Sequence, residues 1–133
     1  MTLNEKYFKE IIKEQPLSDE EERTLAAKIK IGDAKALEKL TKSNLKFVIS
    51  LAHQYRNRGV EEDDLISEGN IGMMHAAQKF DGTKGIRFVI FAAPYIRAAM
   101  EEAIKEQSAL YKLPKIKLNR YALELYLLIN QSP

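Results

Sequence analysis

Phe88, Phe91 and Tyr95 recur at three- and four-residue steps, with Lys84, Arg87 and Arg97 interleaved. Rings beside cations suit unpaired nucleic-acid bases. The rings stack on the bases, the cations hold the phosphates, and each stacked base is worth roughly 1–3 kcal/mol. Taking a base out of a duplex costs a few kcal/mol, so two or three such contacts would offset local opening of A·T pairs. Aromatics at helical spacing are equally the pattern of a buried core, and the sequence leaves both readings open. Pro94 lies in the same segment and removes one helix hydrogen bond. It either kinks the helix and turns Tyr95 outward, or marks the helix start.

A second chemistry sits just upstream. Glu61-Glu62-Asp63-Asp64 and Glu68 form an acidic stretch with no compensating base. Gly69 and Gly72 follow, three residues apart, each costing about 1 kcal/mol relative to alanine inside a helix. They share a face and let another helix approach closely. That helix is either the chain's own or a partner's seated in a groove. Asp64, Glu68 and Asn70 flank this face and are suited to arginines, whose planar fork matches a carboxylate. Catalytic chemistry is poorly served. His53 and His75 stand alone on helices, and the acids at 61 to 64 are explained by the positive end of a helix dipole. No glycine-rich phosphate loop follows a strand. The sequence calls for no cofactor and no metal, and reads as a non-enzyme.

The elements that must hold these residues are helical throughout. Residues Thr2 to Glu14 form a short first helix ended by Pro16. Ser18-Asp19-Glu20-Glu21 is a capping box opening a second helix, with Leu25 and Ile29 on its apolar stripe. Gly32 stops it and Asp33 caps the next. The periodicity of Leu37, Leu40, Phe47, Val48 and Leu51 predicts one long helix from Ala34 to about Arg56, stopped by Gly59. A further helix covers about Glu62 to Lys79. Asp81-Gly82-Thr83-Lys84-Gly85 is a turn by composition. The ring-bearing helix spans roughly Phe88 to Gln107. Leu110 to Leu113 reads as extended ahead of Pro114, near which a last helix starts.

At 133 residues the chain suits one domain with one core. Hydrophobic residues make up 45% and charged residues 30%, an ordinary globular balance, and the net charge of +2 leaves its distribution as the informative quantity. Basic runs are most simply solvated faces, and a footprint of nucleic-acid binding otherwise. With no cysteine there is no disulfide or thiolate metal site. No apolar run approaches the roughly 20 residues of a membrane span, and the N-terminus lacks a signal-peptide pattern. A cytoplasmic location and no membrane partner are expected.

The stretches Asn44-Leu45-Lys46-Phe47-Val48-Ile49-Ser50-Leu51-Ala52 and Gln54-Tyr55-Arg56-Asn57-Arg58-Gly59, then Asp64 to Met74, Lys79-Phe80-Asp81, Phe88 to Arg97 and Leu113-Pro114, occur in an order and spacing that resemble the core of bacterial RNA polymerase sigma factors of the sigma-70 class. Leu17 to Leu40 resembles the helical segment just upstream in that family. The resemblance implies an all-α, compact multi-helix domain of the sigma region 2 type over residues 1–114, with 115–133 beginning the following linker. It implies docking on the clamp helices of the polymerase largest subunit and opening of the promoter minus-ten element, with the non-template strand held single. By the same resemblance, Asp64, Glu68, Asn70 and Met74 face the polymerase. Phe88 and Phe91 lie near the flipped base, and Tyr95, on the same ring stripe, is counted with them as DNA-binding. Lys84, Arg87 and Arg97 hold DNA backbone, and Asn44 and Phe47 grip the displaced strand. Lys112 and Lys115 begin a basic run, continued by Lys117 and Arg120, that meets duplex upstream. An anti-sigma factor is a further partner class the resemblance admits.

The departures bear on function. Housekeeping members carry two tryptophans where this chain has Pro94-Tyr95, and some sporulation and flagellar members carry proline there. Ala98 and Glu101 stand where housekeeping members read the upstream edge of the element. Glu102 replaces a base, and Ser67 stands where glutamine is common. A different promoter preference or weaker melting, as in an alternative factor, is the expectation. The second reading is a regulator or decoy that occupies the clamp site without melting DNA. The helix-turn-helix domain that reads the minus-thirty-five element in a full factor does not occur before Pro133, and the apolar Leu125 to Ile129 is expected to pack on the domain or on such a neighbour.

Overall fold

A computed structural model describes residues 15–112 and position 128, with side chains for 15–108 and Leu128. The expected helices over Thr2 to Glu14 and from Pro114 lie outside the described residues, as does the Leu125 to Ile129 turn apart from Leu128. Among the described residues the secondary structure is all helical: α1 (Asp19–Lys30), α2 (Ala34–Ser43), α3 (Leu45–Gln54), α4 (Glu62–Lys79), a short 3-10 turn (Gly82–Lys84) and α5 (Phe88–Lys112).

Local chemistry sets the ends of α1. Ser18 Oγ accepts from the Glu21 amide and Glu21 Oε1 accepts from the Ser18 amide, both at 3.1 Å, which is the expected capping box. The Ser18 hydrogen bonds hold the exposed Glu21 carboxyl below its ordinary pKa. Asp19 to Glu22 fill the first turn while Lys28 and Lys30 fill the last, each sign matching its end of the dipole. Gly32 turns the chain at φ +91°, and Asp33 caps α2 by accepting from the amides of Lys35 and Ala36.

Two expectations change. The long helix predicted from Ala34 to Arg56 is two helices broken at Asn44 (φ −110°, ψ 8°), and the second stops at Gln54. Side chains compete for the carbonyls of the last turn of α2. Thr41 Oγ1 donates to Leu37 O, Ser43 Oγ to Lys39 O, and Asn44 Nδ2 to Leu40 O at 2.8 Å. Apolar periodicity runs through such a break because the core lies on the same side of both helices. The stop after Gln54 is a turn through Asn57 (φ 65°) and Gly59 (φ 96°). At the other end α5 runs on to Lys112, so Leu110 to Lys112 is helical rather than extended. Proline restricts only the residue immediately before it.

Packing centres on α4 against α5. Gly69 faces Ile96 and Met100, Gly72 faces Tyr95 and Ala99, and the Phe80 ring after α4 meets Phe88 and Phe91, so the two helices run antiparallel. Leu40, Val48 and Leu51 from α2 and α3 join Leu65, Met73, Phe88, Ile96 and Met100 as fully buried side chains. Helix α1 is tied to the start of α5 by one polar node. Buried Glu22 accepts from Arg87 Nε at 3.1 Å and from the Phe88 amide at 3.0 Å. Arg87 reaches Leu17 O through Nη2 at 2.6 Å and Asp19 through Nη1 at 2.8 Å. Glu22 thus caps a helix it does not belong to.

Removing that node tests its weight. Hydrogen bonds to charged groups contribute about 1.5–3 kcal/mol, and Arg87 keeps part of its hydration. Glu22→Ala is expected to cost about 2–3 kcal/mol in urea unfolding, and Glu22→Gln roughly half. An unchanged midpoint for Glu22→Ala would refute the node. A Cβ on Gly72 would lie 2.6 Å from the Tyr95 carbonyl oxygen, which is backbone and cannot swing away. Overpacking of about 1–3 kcal/mol outweighs the gain in helix propensity of about 1 kcal/mol. Gly72→Ala should therefore lower the melting temperature.

Candidate protein and nucleic-acid interface

The inward face of α4 is apolar and glycine-notched, and the notch is already filled. A Cβ on Gly69 would meet Met100 Cε at 2.5 Å and Val48 Cγ1 at 2.9 Å, and both glycines are buried. The reading of Gly69 and Gly72 as a partner's groove is therefore corrected. They admit the chain's own α5. The surface left for a partner is the opposite side of α4. There Asp64 is exposed, and Glu68, Asn70 and Met74 are half-buried. At 100° per residue Asp64 and Glu68 form one edge of this outer face and Asn70 and Met74 the other. Between them sits Ile71, 49% exposed. Sequence reading missed it because an isoleucine in an apolar helix passes for core. Its phase relative to Leu65, Gly69 and Met73 was the available signal.

The aromatic cluster crosses from core to surface. Phe88 is 0% exposed and meets Phe80 edge-on at 5.2 Å. Its assignment as a base-stacking residue is corrected: no face of its ring reaches solvent. Phe91 and Tyr95 pack on the edge of the core, half-buried, with their rings tilted 5.4 Å apart. Lys79 Nζ lies 5.7 Å from the Tyr95 ring centroid, a cation–π distance. The rings the structure brings to the surface are therefore Phe91 and Tyr95, with Lys79 as a cation the sequence reading had not grouped with them. Pro94 sits exposed inside α5, so it neither starts nor ends the helix. Ile86, just before α5, and Ile90, in its first turn, are 49% and 65% exposed.

The cations separate into two kinds. Lys84 is exposed at the end of the 3-10 turn, which Asp81 caps by accepting from the Thr83 amide at 2.9 Å. Arg87 is not a backbone-holding cation. Its Nε, Nη1 and Nη2 all donate within the fold, and the Glu22 carboxylate raises its pKa further above an already high value, so the strap stays charged. Its assignment to DNA is corrected on that ground. Arg97 is exposed, and the nearby Tyr55 hydroxyl donates to Glu101 Oε1 at 2.7 Å. That hydrogen bond to Glu101, with burial adding to it, pushes the Tyr55 phenol above its usual pKa. The Arg58 guanidinium lies 5.4 Å over the same ring.

Asn44 and Phe47 are half-buried at the junction of α2 and α3, where the Asn44 amide group also caps α2. The Lys112 backbone is helical, its side chain is outside the described set, and Lys115 lies outside the described residues. Among the described residues no group of three His, Asp or Glu is placed to hold a metal, and no helix is long and apolar enough to cross a membrane.

Comparison with known proteins agrees with this architecture. The family model described as Sigma-70 region 2 matches residues 40–109, and that described as Sigma-70 factor, region 1.2 matches residues 5–35. RNA polymerase sigma factor SigA of Clostridium acetobutylicum is 45% identical over 108 residues, covering 81% of this chain and 29% of that protein. SigA of Listeria monocytogenes is 42% identical over the same shares. RNA polymerase sigma-C factor of Myxococcus xanthus is 39% identical over 114 residues, covering 86% of this chain and 39% of that protein. The chain thus spans less than two fifths of the length of these relatives. Region 2 runs from the last turn of α2 through α3 and α4 into α5, over most of the packed core and both outer faces, so the chain belongs to the sigma-70 family.

Proposed function

We propose that this chain is the promoter-engaging core of an RNA polymerase sigma factor. In this reading the outer face of α4 docks on a basic helical element of the polymerase, the clamp helices of its largest subunit, through Asp64, Glu68, Asn70 and Met74. Ile71 sits at the centre of that contact. Carboxylates there match arginine forks, and an exposed isoleucine gives the contact an apolar centre, as docking surfaces have. Phe91 and Tyr95 hold bases unpaired from the minus-ten element, and Lys79, Lys84 and Arg97 hold the strand's phosphates. RNA synthesis is left to the polymerase.

The observation that carries the reading is the ring pair. Two aromatic side chains one helical turn apart lie at the surface beside a lysine, on a helix clasped antiparallel to one with an acidic outer face. A ring pair backed by buried Phe80 and Phe88 is stiff, so little entropy is lost when a base stacks on it. The single-tyrosine step at Pro94-Tyr95 offers less ring area than a tryptophan pair. Capture of bases already unpaired is accordingly the stronger part of the activity, and duplex opening the weaker.

Two measurements test this. Fork DNA with an unpaired minus-ten strand should bind the chain–polymerase complex roughly 5- to 150-fold more weakly after Phe91→Ala, the loss of one stacking contact. Phe88→Leu should lower stability and leave that affinity within about twofold. Equal binding by wild type and Phe91→Ala would reject base capture and favour a decoy that only docks. Separately, Glu68→Lys should abolish association with polymerase in a pull-down while leaving the circular dichroism of the isolated chain unchanged. Retained association would reject the docking face.

A further inference from the structure

The outer side of α5 carries a row of side chains past the ring pair. Ile90, Pro94, Arg97, Glu101 and Lys105 follow one another at four- and three-residue steps, and all are exposed. The row begins apolar and turns polar at Arg97. Its acid, Glu101, has a cation one turn away on either side. Spacing alone reads such an acid as one half of a solvated ion pair along the helix. The fold gives it a partner from elsewhere. Glu101 Oε1 accepts from the Tyr55 hydroxyl at 2.7 Å, 46 residues away in the chain.

Tyr55 is an anchored donor. Its ring packs half-buried against the core, and its amide donates to the carbonyls of Leu51 and Ala52 at the end of α3. The Arg58 guanidinium lies 5.4 Å over the same ring. A fixed phenol fixes the carboxylate. Oε1 is taken up by the fold, and Oε2 is left as an acceptor at the surface. A glutamate loses rotamer freedom when it is held. Here that loss occurs on folding and is not repeated on binding.

Six residues separate Tyr95 from Glu101, which is about 9 Å along the helix. Stacked base pairs rise about 3.4 Å each, so the span is two to three pairs. With unpaired bases held at Phe91 and Tyr95, the duplex closes within reach of Glu101. Arg97 and Lys105 flank it as cations suited to the phosphates on either side. Exposed Ala98 has a one-carbon side chain and leaves base edges open to approach. A carboxylate among phosphates is unfavourable unless it meets a donor. In the major groove, guanine and thymine present acceptors to it, and adenine N6 stands beside the acceptor N7. Cytosine N4 is a donor without an adjoining acceptor.

We propose that Glu101, held in place by the Tyr55 hydroxyl, makes this chain prefer a cytosine in the first closed base pairs next to the unpaired strand. Glu101 determines the specificity and Tyr55 is a positioning residue. The proposal rests on the reading of this chain as a base-capturing sigma core, and gives that core a promoter preference of its own.

The test uses the chain in complex with polymerase and a set of fork templates. All carry the same unpaired minus-ten strand. Each of the three adjoining base pairs is varied in turn through A·T, T·A, G·C and C·G. For wild type, one orientation of the cytosine-containing pair at one of these positions should bind about 5- to 10-fold more tightly than the rest, the low end for a single base contact. Glu101→Ala should level the four pairs. Glu101→Gln should move the preference to an adenine-containing pair, since an amide can pair with N6 and N7 together. Tyr55→Phe keeps the ring and removes only the hydroxyl. It should shrink the cytosine preference and leave affinity for the other pairs unchanged, which a merely structural role would not do. Glu102→Ala removes an exposed neighbouring charge and should leave the preference intact.

No preference in wild type, or the same preference in Glu101→Ala, overturns the proposal. Equal effects of Glu101→Ala and Glu102→Ala overturn it as well, and assign the effect to bulk charge. A full preference in Tyr55→Phe overturns the positioning role. Phe91→Ala separates this proposal from the reading it rests on: it should weaken every template alike. Failure of base capture therefore shows in that variant, and failure of cytosine selection in the ranking of the pairs.

Discussion

The acceptance of hydrogen bonds by Glu22 from Arg87 and from the first amide of α5 is the interaction on which the geometry of both faces depends. A helix N-terminus exposes unsatisfied amides and a partial positive charge. Here a carboxylate from a helix distant in sequence answers both. The cap fixes where α5 begins, and that start sets the rotation of everything along it. Phe88 turns inward, Phe91 and Tyr95 come to the rim, and Tyr95 and Ala99 meet Gly72. Were the start to slip by one residue, the rings would rotate by 100° and the contact with α4 would be lost.

The glycines of α4 express the same constraint from the other side. Glycine inside a helix is unfavourable, and two in four residues need a reason. The reason is the approach of α5, whose Tyr95 carbonyl would lie 2.6 Å from a Cβ on Gly72. Close approach makes the pair of helices a stiff unit. The acidic outer face of α4 and the ring-bearing rim of α5 are thereby held in a fixed relation. A displacement at one is carried to the other with little loss, because interiors packed to this density deform poorly.

Charge is sorted in the same manner. The acids of α4, the lysines of α2 and the internal strap of Arg87 are three separate placements of ionised groups on one small domain with a net charge of only +2. Two are surfaces. The third is structural, and its cation had the same sequence credentials as its neighbours Lys84 and Arg97. No local pattern tells a solvent-facing arginine from one that will meet a carboxylate 65 residues away.

By itself the sequence determined the helical class, the capping box at Ser18, the extent of α4, the acidic stretch at its start and the family likeness. All of these depend on residues within a few positions of one another or on their order along the chain. The break at Asn44 was legible only in part, since Thr41, Ser43 and Asn44 signal competition for carbonyls while the apolar period runs straight through. What the tertiary structure alone decided was which side each candidate residue faces. Phe88, Phe91 and Tyr95 share one helical stripe, yet Phe88 is fully buried while Phe91 and Tyr95 pack half-buried on the core's edge. Gly69 and Gly72 could have received any helix, and received α5. Burial depends on neighbours brought together from across the chain, and a spacing pattern has no term for them.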